Sequence, residues 1–124
     1  MPPDSHAVSL IAVLVLASPV TAHAADAEAG QAVFRTQCGV FHSPLPGKKV
    51  VGPSLFGVVG RKSGSVEGFR YSANKAAGIT WNAEILDNYL AVPREVVPGT
   101  IMTYAGLKDD AKRADLIAWL ETLQ

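Results

Sequence analysis

Cys38-Gly39-Val40-Phe41-His42 carries the single cysteine of a 124-residue chain, four positions ahead of a histidine. It joins two segments of opposite character. Upstream, Asp26–Gln37 has a helix pattern. Asp26 and Glu28 sit in the first turn, where negative charge suits the helix dipole. Gly30, Val33, Phe34 and Gln37 follow the i, i+3, i+4, i+7 spacing of one helical face. Glycine on such a face costs about 1 kcal/mol unless another backbone must come close. Downstream, residues 43–70 read as neither helix nor strand. Pro44, Pro46 and Pro53 interrupt them, as do Gly47, Gly52, Gly57, Gly60, Gly64 and Gly68. A loop of this length is uncommon in a compact domain. It nevertheless carries Val50, Val51, Leu55, Phe56, Val58 and Val59, which need something to pack on. A large apolar ligand meets that need.

The remainder alternates short helices and loops. Ser72–Ala77 is expected as a short helix. Asn82–Ala91 is a better one, with Asn82 as N-cap, Pro93 beyond its end, and Ile85, Leu86, Tyr89 and Leu90 on one face. Val96–Tyr104 reads as a loop broken by Pro98 and Gly99. The clearest helix is Asp110–Leu123, opened by Asp109 and Asp110, with Leu116, Trp119, Leu120 and Leu123 on one face. The whole reads as an all-α domain whose helices carry too few apolar residues to enclose all its loops.

Composition bounds the function. The length allows one domain at most. Lys plus Arg equals Asp plus Glu at 11 each, and this neutral balance argues against nucleic acid as a partner. An apolar share of 48% argues against disorder. One cysteine excludes an internal disulfide framework and a cysteine-built zinc site. At the N-terminus, Ser5–Ala25 has no formal charge, and the apolar run Ala7–Ala17 has the length of a signal-peptide core. Ala22-His23-Ala24 places small residues where a signal peptidase reads. Residues 1–24 are therefore expected to be a signal peptide and residues 25–124 the domain, in the periplasm. The opening Met1-Pro2-Pro3-Asp4 lacks the usual Lys or Arg, which keeps an uncleaved membrane anchor as the alternative. In an oxidising compartment a lone cysteine is free, paired with another molecule, or bonded to a cofactor.

Cys-x-x-Cys-His is the spacing that attaches c-type haem: two thiols add to the vinyl groups and the histidine reaches the iron. Here Phe41 replaces the second cysteine. A bare Cys-x-x-x-His is a weak signal, and His42 alone reads equally well as an ordinary surface histidine. Met102, Tyr89 and Trp81, each taken singly, read as core, and Arg61 as a solvated charge.

Their order is more specific than any of them. Gly30 and Phe34 precede Cys38 and His42. Val51-Gly52-Pro53-Ser54-Leu55-Phe56-Gly57-Val58-Val59-Gly60-Arg61 follows, then Tyr71-Ser72-Ala73-Asn74 and Gly78-Ile79-Thr80-Trp81. Val97-Pro98-Gly99-Thr100-Ile101-Met102 and Leu116-Ile117-Ala118-Trp119-Leu120 complete the series. In these motifs, from Asp26 to Leu123, the chain resembles the class I cytochromes c, the small soluble monohaem type of proteobacteria and mitochondria.

The resemblance implies three main helices plus short helices and long loops wrapped around one haem, with electron transfer rather than enzyme catalysis as the function. It implies iron held between His42 and Met102. Pro53 accepts the other ring N–H of His42, and Arg61, Tyr71 and Trp81 donate to a propionate. Asn74, Tyr89 and Thr100 form a polar network near Met102. The family's single-cysteine members keep the cysteine beside the histidine, whereas this chain keeps the first, so haem c is held by one thioether to Cys38 or without a covalent link. Alternatives are a haem protein whose labile methionine admits peroxide or small gases, and a haem-free variant that has lost electron transfer. Residues 35–75 hold seven basic side chains against Glu67 alone, a net +6, while residues 76–124 carry a net −3 from four basic and seven acidic ones. Such a dipole steers a soluble monomer onto redox partners with acidic docking surfaces, although Ile101 stands where many relatives carry lysine. N-terminal sequencing of the exported protein is expected to begin at Ala25, and a mature chain starting before Ala22 would refute cleavage.

Overall fold

The computed structural model describes residues 2–16, 24–71 and 73–124, with residues 74 and 75 described by their backbone. Among the described residues, five helices follow in chain order: α1 (Ala27–Gln37), α2 (Asn74–Ala77), α3 (Ala83–Ala91), α4 (Pro93–Val96) and α5 (Asp110–Glu121). The only pairing of extended backbone among the described residues is an isolated antiparallel bridge between Lys62 and Thr80. This is the expected all-α architecture, with α1, α3 and α5 as its main helices.

Each main helix begins where a side chain satisfies its first free N–H groups. The Asp26 carboxylate accepts from the N–H groups of Glu28 and Ala29 at 2.9 and 3.2 Å. Asn82 accepts from Ile85 N–H at 2.9 Å, and Asp109 accepts from Lys112 N–H at 3.0 Å. Pro93 departs from expectation. It opens α4 instead of merely ending α3, so Val96 belongs to a helical turn and not to the following loop. A proline needs no donor at a first helical position, and its fixed φ suits that place. The last helix ends at Glu121, short of Leu123, and Thr122 caps it. Ser72, the expected start of the short helix, lies outside the described residues.

α1 and α5 pack together at Gly30. A Cβ there would overlap the carbonyl oxygen of Asp115 and stand 2.9 Å from the Trp119 Cβ. The Asp26 N–H donates to the Asp115 carboxylate at 2.8 Å, fixing the start of α1 on α5. One turn on, the rings of Phe34 and Trp119 meet at 4.7 Å between centroids. Leu86, Leu90, Val97, Leu107, Leu116, Ile117 and Leu120 form the core with Phe34, together with Val58, Trp81 and Tyr89. The buried Arg113 of α5 donates to Asp87 of α3 and to the carbonyl of Leu107, both at 2.9 Å, and also to Asp110. Hydrogen bonding to Asp87 raises its pKa further, so it is a permanent cation. It joins α3, α5 and the loop between them.

Residues 43–70 are irregular, as expected, yet tied down. Gly52 N–H donates to Phe41 O at 2.7 Å, and Leu55 N–H to Ser43 O at 2.9 Å. The buried Ser54 hydroxyl donates to Leu45 O and accepts from Phe56 N–H. A further bond runs from Trp81 N–H to Arg61 O at 2.9 Å. Residues 2–16 are exposed and form neither helix nor strand. The expected cleavage motif at Ala22–Ala24 falls largely outside the described residues. Among the described residues, no helix is long and apolar enough to cross a membrane.

Gly30→Ala tests the helix contact. Alanine favours an isolated helix by about 1 kcal/mol. Here the clash is with backbone, which cannot rotate aside, so net destabilisation of about 2 kcal/mol or more is expected. Denaturant titration should show a lower midpoint at an unchanged slope.

Candidate functional site

The turn after α1 sets the site. The N–H groups of Phe41 and His42 both donate to Cys38 O, at 3.0 and 2.9 Å. The chain therefore coils once and brings Cys38 and His42 to the wall of one cavity of about 610 Å3. Its other walls come from the 51–71 loop, Trp81, α3, the loop between α4 and α5, and Leu120 of α5. Leu55, Val58, Leu86, Leu90 and Leu120 make the lining mostly apolar. The volume lies in the range of roughly 300–1,000 Å3 typical of sites for organic ligands.

His42 is fixed within this wall. Its Nδ1 lies 2.8 Å from Pro53 O. A carbonyl only accepts, so Nδ1 carries the proton and Nε2 keeps a free lone pair. Burial lowers the imidazole pKa, the Pro53 bond opposes that shift, and the nearby Arg61 charge lowers it further. A lowered value keeps the ring neutral, the form that ligates metals. Gly52 makes room: a Cβ there would come within 2.7 Å of His42 Nδ1.

Met102 enters from the α4–α5 loop. Its N–H donates to the Thr100 hydroxyl at 3.2 Å, and the Tyr89 hydroxyl donates to its sulfur at 3.5 Å. Burial pushes the Tyr89 phenol up to about 12, so it keeps its proton to donate. Trp81 packs on Tyr89 with ring centroids 4.7 Å apart. Burial pushes the Cys38 thiol up to about 11, leaving it neutral at ordinary pH. Arg61 Nη1 donates to the carbonyls of Ser54 and Phe56 at 2.9 and 3.2 Å. The guanidinium has further N–H donors for a carboxylate. Tyr71 accepts from Val66 N–H at 3.2 Å.

Nine of the ten residues singled out from the sequence line this cavity: Cys38, His42, Pro53, Arg61, Tyr71, Trp81, Tyr89, Thr100 and Met102. The side chain of the tenth, Asn74, lies outside the described residues, and its backbone starts α2. Phe41, in place of a second cysteine, lines the same cavity and is 49% exposed. Sequence reasoning passed over Gln37, Phe69 and Tyr104, which also line it. Phe69 stacks edge-on with Tyr71 at 4.7 Å and lies under the Lys49 ammonium at 5.5 Å. A second cavity of about 580 Å3, edged by Asp87, Asp110, Arg113 and Glu121, holds none of the expected site residues.

An apolar cavity of this size with a thiol, a neutral imidazole and a thioether in its walls fits a flat metallated macrocycle. A soft thioether and an imidazole together favour iron of high reduction potential. The fold and the site thus define a small all-α haem-binding domain. No family model matches the chain. Individual proteins do. The chain is 48% identical over 100 residues to cytochrome c2 of Rhodopila globiformis, spanning 80% of this chain and 94% of that protein. It is 49% identical over 110 residues to cytochrome c2 of Blastochloris viridis, spanning 87% and 86%. Cytochrome cH from Methylobacterium extorquens superposes with a TM-score of 0.73 at 42% identity, covering 78% of this chain and 98% of that one. The chain belongs to the cytochrome c family. It is an electron-transfer protein and not an enzyme, and the cofactor of the family is haem c with its iron.

Proposed function

We propose that this chain is a periplasmic carrier of single electrons between respiratory or photosynthetic redox complexes. His42 and Met102 are the residues that would hold its haem iron. The observation that carries this reading is the pair itself: His42 with Nδ1 fixed on Pro53, and Met102 with its sulfur within reach of the Tyr89 hydroxyl, in the walls of one apolar cavity. When bound, the haem iron supplies the one-electron change between ferric and ferrous states.

The chain's residues have separate duties. Pro53 orients His42 and raises its basicity. Arg61, Tyr71 and Trp81 hold a propionate, which a buried carboxylate requires. Tyr89, Thr100 and Asn74 form the polar surroundings of Met102. Cys38 would hold the haem by one thioether, its S–H adding across a vinyl group with no leaving group. Phe41 packs against the porphyrin edge where a second link would be. Residues 1–24 act as the export signal, which agrees with a folded domain that starts at the Asp26 cap. Mature protein is a soluble monomer that docks on acidic partner surfaces by its basic half.

Acidified-acetone extraction of the purified protein, with intact mass read on the pellet, tests the attachment. Haem mass is expected to stay on the chain, and Cys38→Ala is expected to release it. Red colour passing into the solvent from the unaltered protein refutes the thioether, and a colourless protein before extraction refutes the carrier. For docking, association with an acidic redox partner is expected to slow as the Debye length falls from about 30 Å at 0.01 M salt to about 8 Å at 0.15 M. A rate indifferent to salt refutes electrostatic steering.

A further inference from the structure

The loop that carries Met102 has unequal support. At one end Val97 is fully buried. At the other, Leu107 N–H donates to Leu90 O at 2.7 Å, and Arg113 donates to Leu107 O at 2.9 Å. Between those anchors the backbone has no regular structure, and Ile101, Thr103 and Ala105 are exposed. Gly99 and Gly106 have φ of +81° and +115°. A segment with little apolar burial and no helical ladder opens at low free energy. The Tyr89 bond to the Met102 sulfur is long and falls on a weak acceptor.

Tyr104 supplies a firmer tie. Its hydroxyl donates to Gln37 Oε1 at 2.7 Å, across 67 positions of sequence. Gln37 is the last residue of α1, next to Cys38, and Tyr104 stands two residues beyond Met102. Both side chains line the cavity. The bond therefore joins the wall that leads into Cys38 and His42 to the loop that bears Met102.

We propose that Tyr104 and Gln37 form a clasp that holds the Met102 loop closed, keeping Met102 in place and small molecules away from that side of the haem. They are positioning residues, since neither is a ligand. The inference rests on the His42/Met102 reading above. It assigns the balance between electron carrier and small-ligand binder to one hydrogen bond: with the clasp closed Met102 would stay in reach of the iron, and with it open that place would become accessible. A bond that served general stability alone would have no bearing on ligand entry.

The test compares holoprotein with Tyr104→Phe, Gln37→Leu and the double variant. Tyr104→Phe keeps the ring and removes the hydroxyl, so packing is retained. The probes are imidazole for ferric protein and carbon monoxide for ferrous protein, followed by stopped-flow absorbance. Hydrogen exchange at residues 99–106 provides a readout apart from ligand binding. Each single variant should bind imidazole roughly 2- to 10-fold faster, the range set by losing one net hydrogen bond. Loop amides should exchange faster by a similar factor. The double variant should add nothing to the larger single effect, because both changes break the same bond. Unchanged rates in Tyr104→Phe, or effects that multiply in the double variant, overturn the clasp. Absence of the long-wavelength methionine–iron band in the unaltered protein overturns the ligand reading first and the clasp with it.

Discussion

The contact between two backbones at Gly30 is the constraint on which the rest of the structure depends. Helices packed through side chains stand roughly 8–10 Å apart. At Gly30 nothing intervenes, and the Asp115 carbonyl occupies the space a Cβ would take. This closeness lets Phe34 and Trp119 meet one turn later and aims the end of α1 at the cavity. Cys38 and His42 hang from that end by a single turn. Their placement is thus set by a glycine two turns upstream as much as by their own surroundings.

The same economy accounts for the irregular half of the molecule. A helix or strand satisfies its backbone internally, whereas residues 43–71 must find partners one by one. Buried serines act as substitutes: Ser54 serves Leu45 and Phe56, and Ser63 accepts from Ile79 N–H at 3.0 Å. Arg61 contributes two more bonds to carbonyls. Such a framework can curve around a broad flat ligand, which straight elements of this length could not. Of its apolar side chains, Val51, Leu55, Val58 and Phe69 line the cavity, Val59 packs on the core, and Leu45 and Val50 are exposed. The polar skeleton and the apolar lining are two aspects of one arrangement.

What was legible in the sequence had local physical causes. Asp26, Asn82 and Asp109 cap helices through bonds that span two or three residues, so each start could be read to within a position. Gly30 could be read because glycine weakens an apolar helix face unless a second backbone needs the space. The cavity lining was legible through a series of motifs and not through single residues: Met102 and Tyr89 look like core until their order is considered. Pro93 differs from its sequence reading because proline both ends one helix and begins another, and only the fold decides between them. Gln37 and Tyr104 escaped because their bond spans 67 positions and neither residue type announces a partner. Arg113 and Asp115 escaped for a similar reason. Charged residues on a helix are usually solvated, and only the packed fold buries these two.

Phe41 changes what would fix the second edge of the cofactor. In the proposed arrangement one edge of the haem is bonded to Cys38, and Phe41 meets the other edge by packing. Burying part of an aromatic side chain is worth about 1–2 kcal/mol, which alters a dissociation constant by roughly 5- to 30-fold. A thioether, by contrast, fixes an edge covalently, and the one proposed at Cys38 would already prevent dissociation. Phe41 is therefore a weak substitute for a bond at its own position. In that arrangement the lost rigidity at this edge, not lost retention, would fall on His42, Met102 and whatever keeps the Met102 loop shut. Loss of Met102 from the iron would leave that edge free to tilt, with Cys38 and His42 on the same short turn acting as one hinge. Closure of the loop thus matters more in this chain than where two thioethers hold the ring. That is the physical reason to look for the strength of this protein in its longest-range hydrogen bonds and not in the motif that first identifies it.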